Sequence, residues 1–312
     1  MIIELTNNIK VIRPEGKAVF PYSNSLYIED DTNLLIDTGA GANAYKQIAA
    51  NNVEIILLSH YHFDHFHCTS LFPNASVLAG VEEPKNYDNL SDYIRAYSFS
   101  NWEKLMGEAS LEDDTNYPDD VPLSHDSKIV SLDGEYKDGT VFNLGKTSIR
   151  TLHTPGHTRG HYAFLIEKEG LLYTSDLDLS PRGPWYGDET ADIDDLIRSI
   201  EKIIAIKPAI LVTSHRRIFN SREDDIEKLF RDYLGILLHR EEKILNYLTQ
   251  PRSLDEMAEQ DFVYYRPGGI NNKLFNRNKL IYWNKFMLLK HLNRLKKMGM
   301  VEELPDGRFM KL

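Results

Sequence analysis

The sequence predicts an α/β protein made of a large body and a smaller C-terminal unit, and three observations lead there. Runs of strand and helix character are mixed through residues 1–235, twice over. At 312 residues the chain is too long for one average domain and too short for three. The charge also divides: residues 236–312 hold 14 Lys/Arg against 9 Asp/Glu, a net of +5, whereas residues 1–235 hold 22 against 38, a net of −16. An acidic body repels polyphosphates at long range, and +5 over such a tail is far from a dense basic stripe.

The elements follow in order. Val11-Ile12-Arg13, Asn24 to Ile28 and Asn33 to Ile36 are short β-rich runs separated by turn signals, which predicts antiparallel hairpins. Asp37-Thr38-Gly39-Ala40-Gly41 breaks the pattern, Ala42 to Asn51 has the composition of a short helix, and Val53 to Ser59 is a buried strand ending at His60. Val81 to Asp138 differs, with aromatic residues and acidic clusters, and its apolar positions Leu90, Tyr93, Ile94 and Tyr97 recur at helical spacing. A helical cap inserted over 81–138 is expected, placed to overhang the histidines before it. Strands return at Val141 to Leu144, Thr147 to Leu152, Tyr162 to Glu167 and Leu171 to Thr174. Asp192 to Lys207 is an amphipathic helix, and Ala209 to Ser214 a strand that ends at His215.

In the tail, Leu238 to Leu248, Ser253 to Glu259 and Phe286 to Lys297 read as helices, and Met300 to Leu304 with Arg308 to Leu312 as a hairpin. No stretch is long and apolar enough to cross a bilayer, and Met1 to Thr6 carries no basic leader, so the mature chain is expected to start at Met1. The single cysteine, Cys68, excludes an internal disulfide and suits a cytoplasmic protein.

The chemistry is concentrated in Ser59-His60-Tyr61-His62-Phe63-Asp64-His65. Imidazole and carboxylate bind divalent metals at neutral pH, a strand end fixes them, and a loop lets several converge. His60 and His62 stand two apart and share a face of extended chain; Asp64 and His65 follow where the chain turns into a helix and can face a second ion. Three further candidates stand where strands end: His157, Asp176 and His215. An incidental histidine run explains the H-x-H-x-D-H spacing poorly.

These motifs resemble those of the metallo-β-lactamase superfamily over about residues 1–235. The resemblance implies a four-layer αββα sandwich with the site at one edge. It implies a first metal on His60, His62 and His157, a second on Asp64, His65 and His215, and Asp176 bridging both. Asp37 matches a residue that orients a ligand histidine, with a turn cap as the competing reading. Zinc is the expected ion; iron and manganese suit the same ligands. Diiron flavoproteins of the superfamily carry glutamate where His62 stands, so hydrolysis is expected here. Two cations sharing a hydroxide lower its pKa and hold the oxygen that becomes negative, with Asp176 holding the pair and Asp64 helping to deliver a proton to the leaving group.

Two substrate classes separate at this point. The first is a small-molecule thioester, ester or lactone; the second is RNA or DNA cleaved by a metal-dependent endoribonuclease or phosphodiesterase. The tail resembles the C-terminal winged helix of a subgroup that includes an endoribonuclease-like branch, although Tyr264 to Tyr282 fits poorly. A nuclease needs cations at the cleavage centre, yet Val81 to Asp138 holds 15 Asp/Glu against 5 Lys/Arg. The small-molecule reading is therefore preferred, with a homodimer contact one role for the tail. Lys285, Lys290, Arg294, Lys296 and Lys297 keep a nucleic-acid face open. Trp185 and Tyr186 are expected to line the pocket, a tyrosine hydroxyl donating to the developing oxyanion. Of the remaining histidines, His67 and His161 are candidates for contacts near the ligands, His153 for a structural role, and His125, His239 and His291 belong to no motif.

Overall fold

The computed structural model describes residues 1–83, 85–107, 117–122, 129–263 and 277–312. The first sheet has seven strands in sequence order: β1 (Ile2–Glu4), β2 (Ile9–Ile12), β3 (Ser25–Ile28), β4 (Leu34–Ile36), β5 (Ile55–Leu58), β6 (Ser76–Gly80) and β7 (Gly134–Tyr136). Pairings up to β3–β4 are antiparallel, and β4 to β7 run parallel. The second sheet contains β8 (Val141–Asn143), β9 (Ser148–His153), β10 (Tyr162–Ile166), β11 (Leu171–Tyr173), β12 (Ile210–Val212) and β13 (Phe219–Asn220), antiparallel except for β11–β12.

Side-chain alternation along the strands stacks the layers. Leu26, Ile28, Leu34, Ile36 and Leu57 of the first sheet meet Phe164, Ile166, Leu171, Tyr173 and Val212 of the second in one buried cluster. The intervening residues Tyr27, Leu35, Ile56 and Leu58 face outward onto α1 (Ala42–Tyr45) and α2 (Phe63–Phe66). On the opposite side Ala163, Leu172 and Leu211 face α6 (Ile193–Ile206), which buries Leu196, Ile200 and Ile203, each worth about 1.5–3 kcal/mol against exposure. Helix, sheet, sheet and helix form the expected four layers. Asp192 caps α6 by accepting from the Asp195 amide at 2.9 Å.

The inserted segment contains α3 (Lys85–Asp88), α4 (Leu90–Ala96) and α5 (Trp102–Met106). Tyr87, Tyr93 and Ala96 pack with Phe63 and Phe66. β7 lies inside the span expected for the cap and belongs to the first sheet. His125 and the acidic run Glu112 to Asp114 lie outside the described residues.

The C-terminal part is α7 (Ile226–Tyr247), α8 (Leu254–Ala258), α9 (Arg277–Lys297) and the hairpin β14 (Val301–Glu303) with β15 (Phe309–Lys311). α7 runs unbroken through the boundary expected at 235/236, and one hydrophobic cluster extends from Leu172 and Leu211 through α6 to Leu237, Met287, Leu288 and Phe309. Tyr264 to Asn276 lies outside the described residues, and Arg277 to Tyr282 forms the start of α9. Among the described residues no helix is long and apolar enough to cross a membrane.

Candidate metal centre

The carboxyl ends of β4, β5, β9, β11 and β12 open on one edge of the sandwich, where the expected ligands converge. His60, His62, His157 and Asp176 present ligand atoms within 4.8 Å of one another, and Asp64, His65 and His215 form a second such group. His157 Nε2 lies 3.2 Å from His60 Nε2 and 3.0 Å from His62 Nδ1. Asp176 faces both groups: Oδ1 is 3.0 Å from His65 Nε2 and 3.2 Å from His215 Nε2, while Oδ2 is 3.3 Å from His157 Nε2 and 3.8 Å from His60 Nε2. Asp64 Oδ2 stands 3.4 Å from His215 Nε2. Asp64 and His65 reach this position because α2 starts just after His62.

The outer nitrogens decide which inner ones carry lone pairs. His157 Nδ1 donates to the Trp185 carbonyl at 3.0 Å, and His62 Nε2 donates to Asp188 Oδ2 at 2.5 Å. His65 Nδ1 donates to Asp37 Oδ2 at 2.8 Å, and His60 Nδ1 donates to Ser59 Oγ at 3.0 Å. Ser59 Oγ donates in turn to Asp37 Oδ2 at 2.8 Å. In the neutral imidazoles of His60, His62, His65 and His157 the inner nitrogen is thereby left a lone pair. His65 Nε2 and Asp176 Oδ1 are buried and make no hydrogen bond. Nitrogen lone pairs facing one another and an orphaned carboxylate oxygen are what a divalent cation satisfies, so the residues fit the metal chemistry their spacing implies.

Local backbone supports the arrangement. Asp37 and Ser175 adopt left-handed φ values of 58° and 47°. Such residues cost about 1–3 kcal/mol each. Asp37 is held there by the Ser59 amide at 2.8 Å and the Tyr173 hydroxyl at 2.9 Å, beside its bonds to Ser59 Oγ and His65. Gly39 is required by contact: a Cβ there would stand 1.5 Å from the Asp64 carbonyl oxygen.

Charge is finely divided in the metal-free chain. Burial opposes it, but the His215 and His65 imidazoles hold the Asp176 carboxyl well below the usual carboxylate range. Burial also opposes protonation of His215, yet Asp176 and Asp64 raise it to about 9 from an ordinary 6.5. His60 is driven the other way by burial and by the neighbouring His65 and His62. A group raised in the folded state stabilises fully below its unfolded value and loses that contribution as pH climbs through the folded one. The chelated protein is therefore expected to melt at steadily lower temperature between pH 6.5 and about 9, while its Zn2+ affinity rises because bound protons are displaced. Melting curves and zinc titrations across that range check both slopes; a flat affinity would contradict the assignment.

Residues 18–215 match the family model described as the metallo-beta-lactamase superfamily. The chain belongs to that superfamily. It is a hydrolase of this family, and its His/Asp clusters are of a kind that could hold divalent metal ions. A metallo-beta-lactamase family protein from Thermus thermophilus superposes with a TM-score of 0.70 at 20% identity, covering 99% of this chain and 100% of that one, which shows a shared fold. Beta-lactamase-like protein 2 homolog of Drosophila melanogaster is 27% identical over 242 residues, 74% of this chain and 68% of the fly protein. The atrochrysone carboxyl ACP thioesterase of Aspergillus fumigatus is 27% identical over 151 residues, 46% of this chain and 26% of that enzyme. This chain spans 41% and 56% of two fungal lactamase-like proteins.

Within this metallo-beta-lactamase site, Asp188 was not legible in the sequence. It is fully buried, accepts from the Tyr61 hydroxyl at 2.8 Å as well as from His62, and lies in a loop where no spacing marks it. Glu83 is a second such residue: it accepts from Thr158 at 3.1 Å and Thr190 at 3.3 Å, joining the His157 loop to the loop that carries Asp188. His161 holds the Asp176 loop, its Nε2 accepting from the Asp176 amide at 3.2 Å. His67 bonds to the Pro21 carbonyl, His153 to the Arg159 carbonyl, and buried Cys68 belongs to neither ligand group. Tyr186 departs from expectation. It is fully buried with its hydroxyl against His291 and Arg240, because the turn before it folds onto α7, so it donates nothing to a substrate. Tyr97, from the insertion, lies with its ring 5.0 Å from that of His62.

Proposed function

We propose that this hydrolase uses two divalent ions, zinc by preference, to cleave a small-molecule thioester, ester or lactone. The reading is carried by Asp176, whose two oxygens are divided between the His60/His62/His157 group and the Asp64/His65/His215 group. A metal pair held by these seven residues would supply Lewis acidity and a water acidified toward neutral pH. The protein's own part is orientation. Asp37, Asp188, Ser59 and the Trp185 carbonyl fix the tautomers of His65, His62, His60 and His157, so these imidazoles need no reorganisation during reaction. His215 and Asp176, with side chains 15% and 11% exposed, are the most open members of the site and mark the side from which substrate enters. Asp64, adjoining them, is placed to hold a proton for the departing group.

Residues 236–312 we read as a winged-helix-like unit, on their order of three helices and a hairpin. Its cations support packing rather than a nucleic-acid grip. Lys285 pairs with Asp255, Lys290 donates to the Ala191 carbonyl, Arg294 pairs with Asp194 and Glu241, and Lys296 pairs with Glu303. The thioesterase among the relatives favours a carbonyl substrate. The test is hydrolysis by metal-loaded protein of acyl thioesters, lactones, esters, phosphodiesters and single-stranded RNA. Turnover of carbonyl compounds alone is expected; RNA cleavage abolished by Asp176→Ala would overturn the substrate class.

A further inference from the structure

We propose that the C-terminal helices are part of the apparatus that positions the first metal group, with Arg240 of α7 as the positioning residue. The inference rests on the two-metal reading above. Arg240 is 3% exposed and reaches across to the loop 182–191. Its Nη1 donates to the Pro184 carbonyl at 3.0 Å and to the Tyr186 hydroxyl at 2.6 Å, and its Nη2 donates to the Arg182 carbonyl. These acceptors flank Trp185, whose carbonyl receives the His157 Nδ1 proton, and two residues beyond Tyr186 stands Asp188, which receives that of His62. The loop lies flush on the helix: a Cβ at Gly183, where φ is +80°, would stand 2.6 Å from Ile236 Cγ2 and 3.0 Å from Arg240 Nη2.

The grip continues into α9. The Tyr186 hydroxyl, accepting from Arg240, donates to His291 Nε2 at 2.6 Å, and His291 Nδ1 donates to Glu241 Oε1 at 3.1 Å. Arg294 closes the chain with Nη1 on Glu241 at 2.6 Å and Nε on Asp194 at 2.7 Å, joining α9 to α7 and α6. Donors run one way from Arg240 through Tyr186 and His291 to Glu241, which also accepts from Arg294, and this fixes the rotation of Tyr186 as well as its depth. Trp283 of α9 packs edge-on against Trp185, ring centroids 5.3 Å apart. Apolar burial alone would keep α7 on the body; a guanidinium fork on three acceptors of one loop sets where the Trp185 carbonyl and Asp188 point. His65 in the second group is oriented by Asp37 instead, through β4 and β5. The two groups therefore depend on Arg240 unequally.

The test is competition titration of the metal-free chain with Zn2+ against a chromophoric chelator, the step lost in His62→Ala marking the first group. Arg240→Met is expected to weaken that step by about 10–100-fold and to leave the other step in place, with Arg240→Lys recovering part of the loss. If Arg240→Met does not fold, Tyr186→Phe, which breaks the path between Arg240 and His291, is expected to weaken the same step selectively. Unchanged first-step affinity in a folded variant, or equal weakening of both steps, would overturn the proposal. A wild-type chain that never binds a second ion would instead overturn the two-metal reading.

Discussion

Asp176→Ala is expected to lower kcat/KM by about 10³-fold or more, since losing several kcal/mol of charge stabilisation translates into that factor. The change removes the carboxylate that, among the described residues, faces both histidine groups, with Oδ1 3.0 Å from His65 and Oδ2 3.3 Å from His157. It also leaves His215 without the neighbour that does most to raise its pKa. Steady-state turnover together with metal content per chain checks this. Loss of turnover with both ions retained would make Asp176 a participant in chemistry only, and full turnover would remove it from the site.

The second large effect is structural. Asp37 is fully buried and accepts four hydrogen bonds, from the Ser59 amide and hydroxyl, His65 Nδ1 and the Tyr173 hydroxyl. Asp37→Ala strands all four donors and frees the His65 ring to rotate. Removing one partner of such a buried set costs about 3–5 kcal/mol, and the loss of a ligand's orienting carboxylate weakens metal binding by about 10–100-fold. Denaturant unfolding of the chelated protein isolates the first number, and zinc titration gives the second. A stability change below about 1 kcal/mol would mean that these bonds are replaced by water at little cost.

The parts of this protein that could be read from its sequence are those where a local pattern carries the information. Four candidate ligands within six residues, after an apolar strand, announce themselves by density, and His157, Asp176 and His215 by standing where strands end. The strand-length apolar run of β10 and the 3.6-residue period of α6 placed those elements to within two residues. What escaped was set by tertiary contact. Asp188 is one of two adjacent carboxylates in a loop, and only the fold brings it to His62. β1 and β13 are three and two residues long, too short for alternation to register. The first three turns of α7 were obscured by Gly235, an exposed glycine that a long helix tolerates when its other face is buried. The cations of α9 can be counted in the sequence, but the partners of Lys285, Arg294 and Lys296, namely Asp255, Asp194, Glu241 and Glu303, come from elsewhere in the fold.

The proposal that this chain holds two metal ions, with Asp176 facing both ligand groups, is tested most directly by the number of zinc ions retained per chain after equilibrium dialysis against a low-affinity chelator at pH 7.5. Two per chain, falling in Asp176→Ala, is the predicted result. A wild-type value of one or none, with the protein folded, would contradict it.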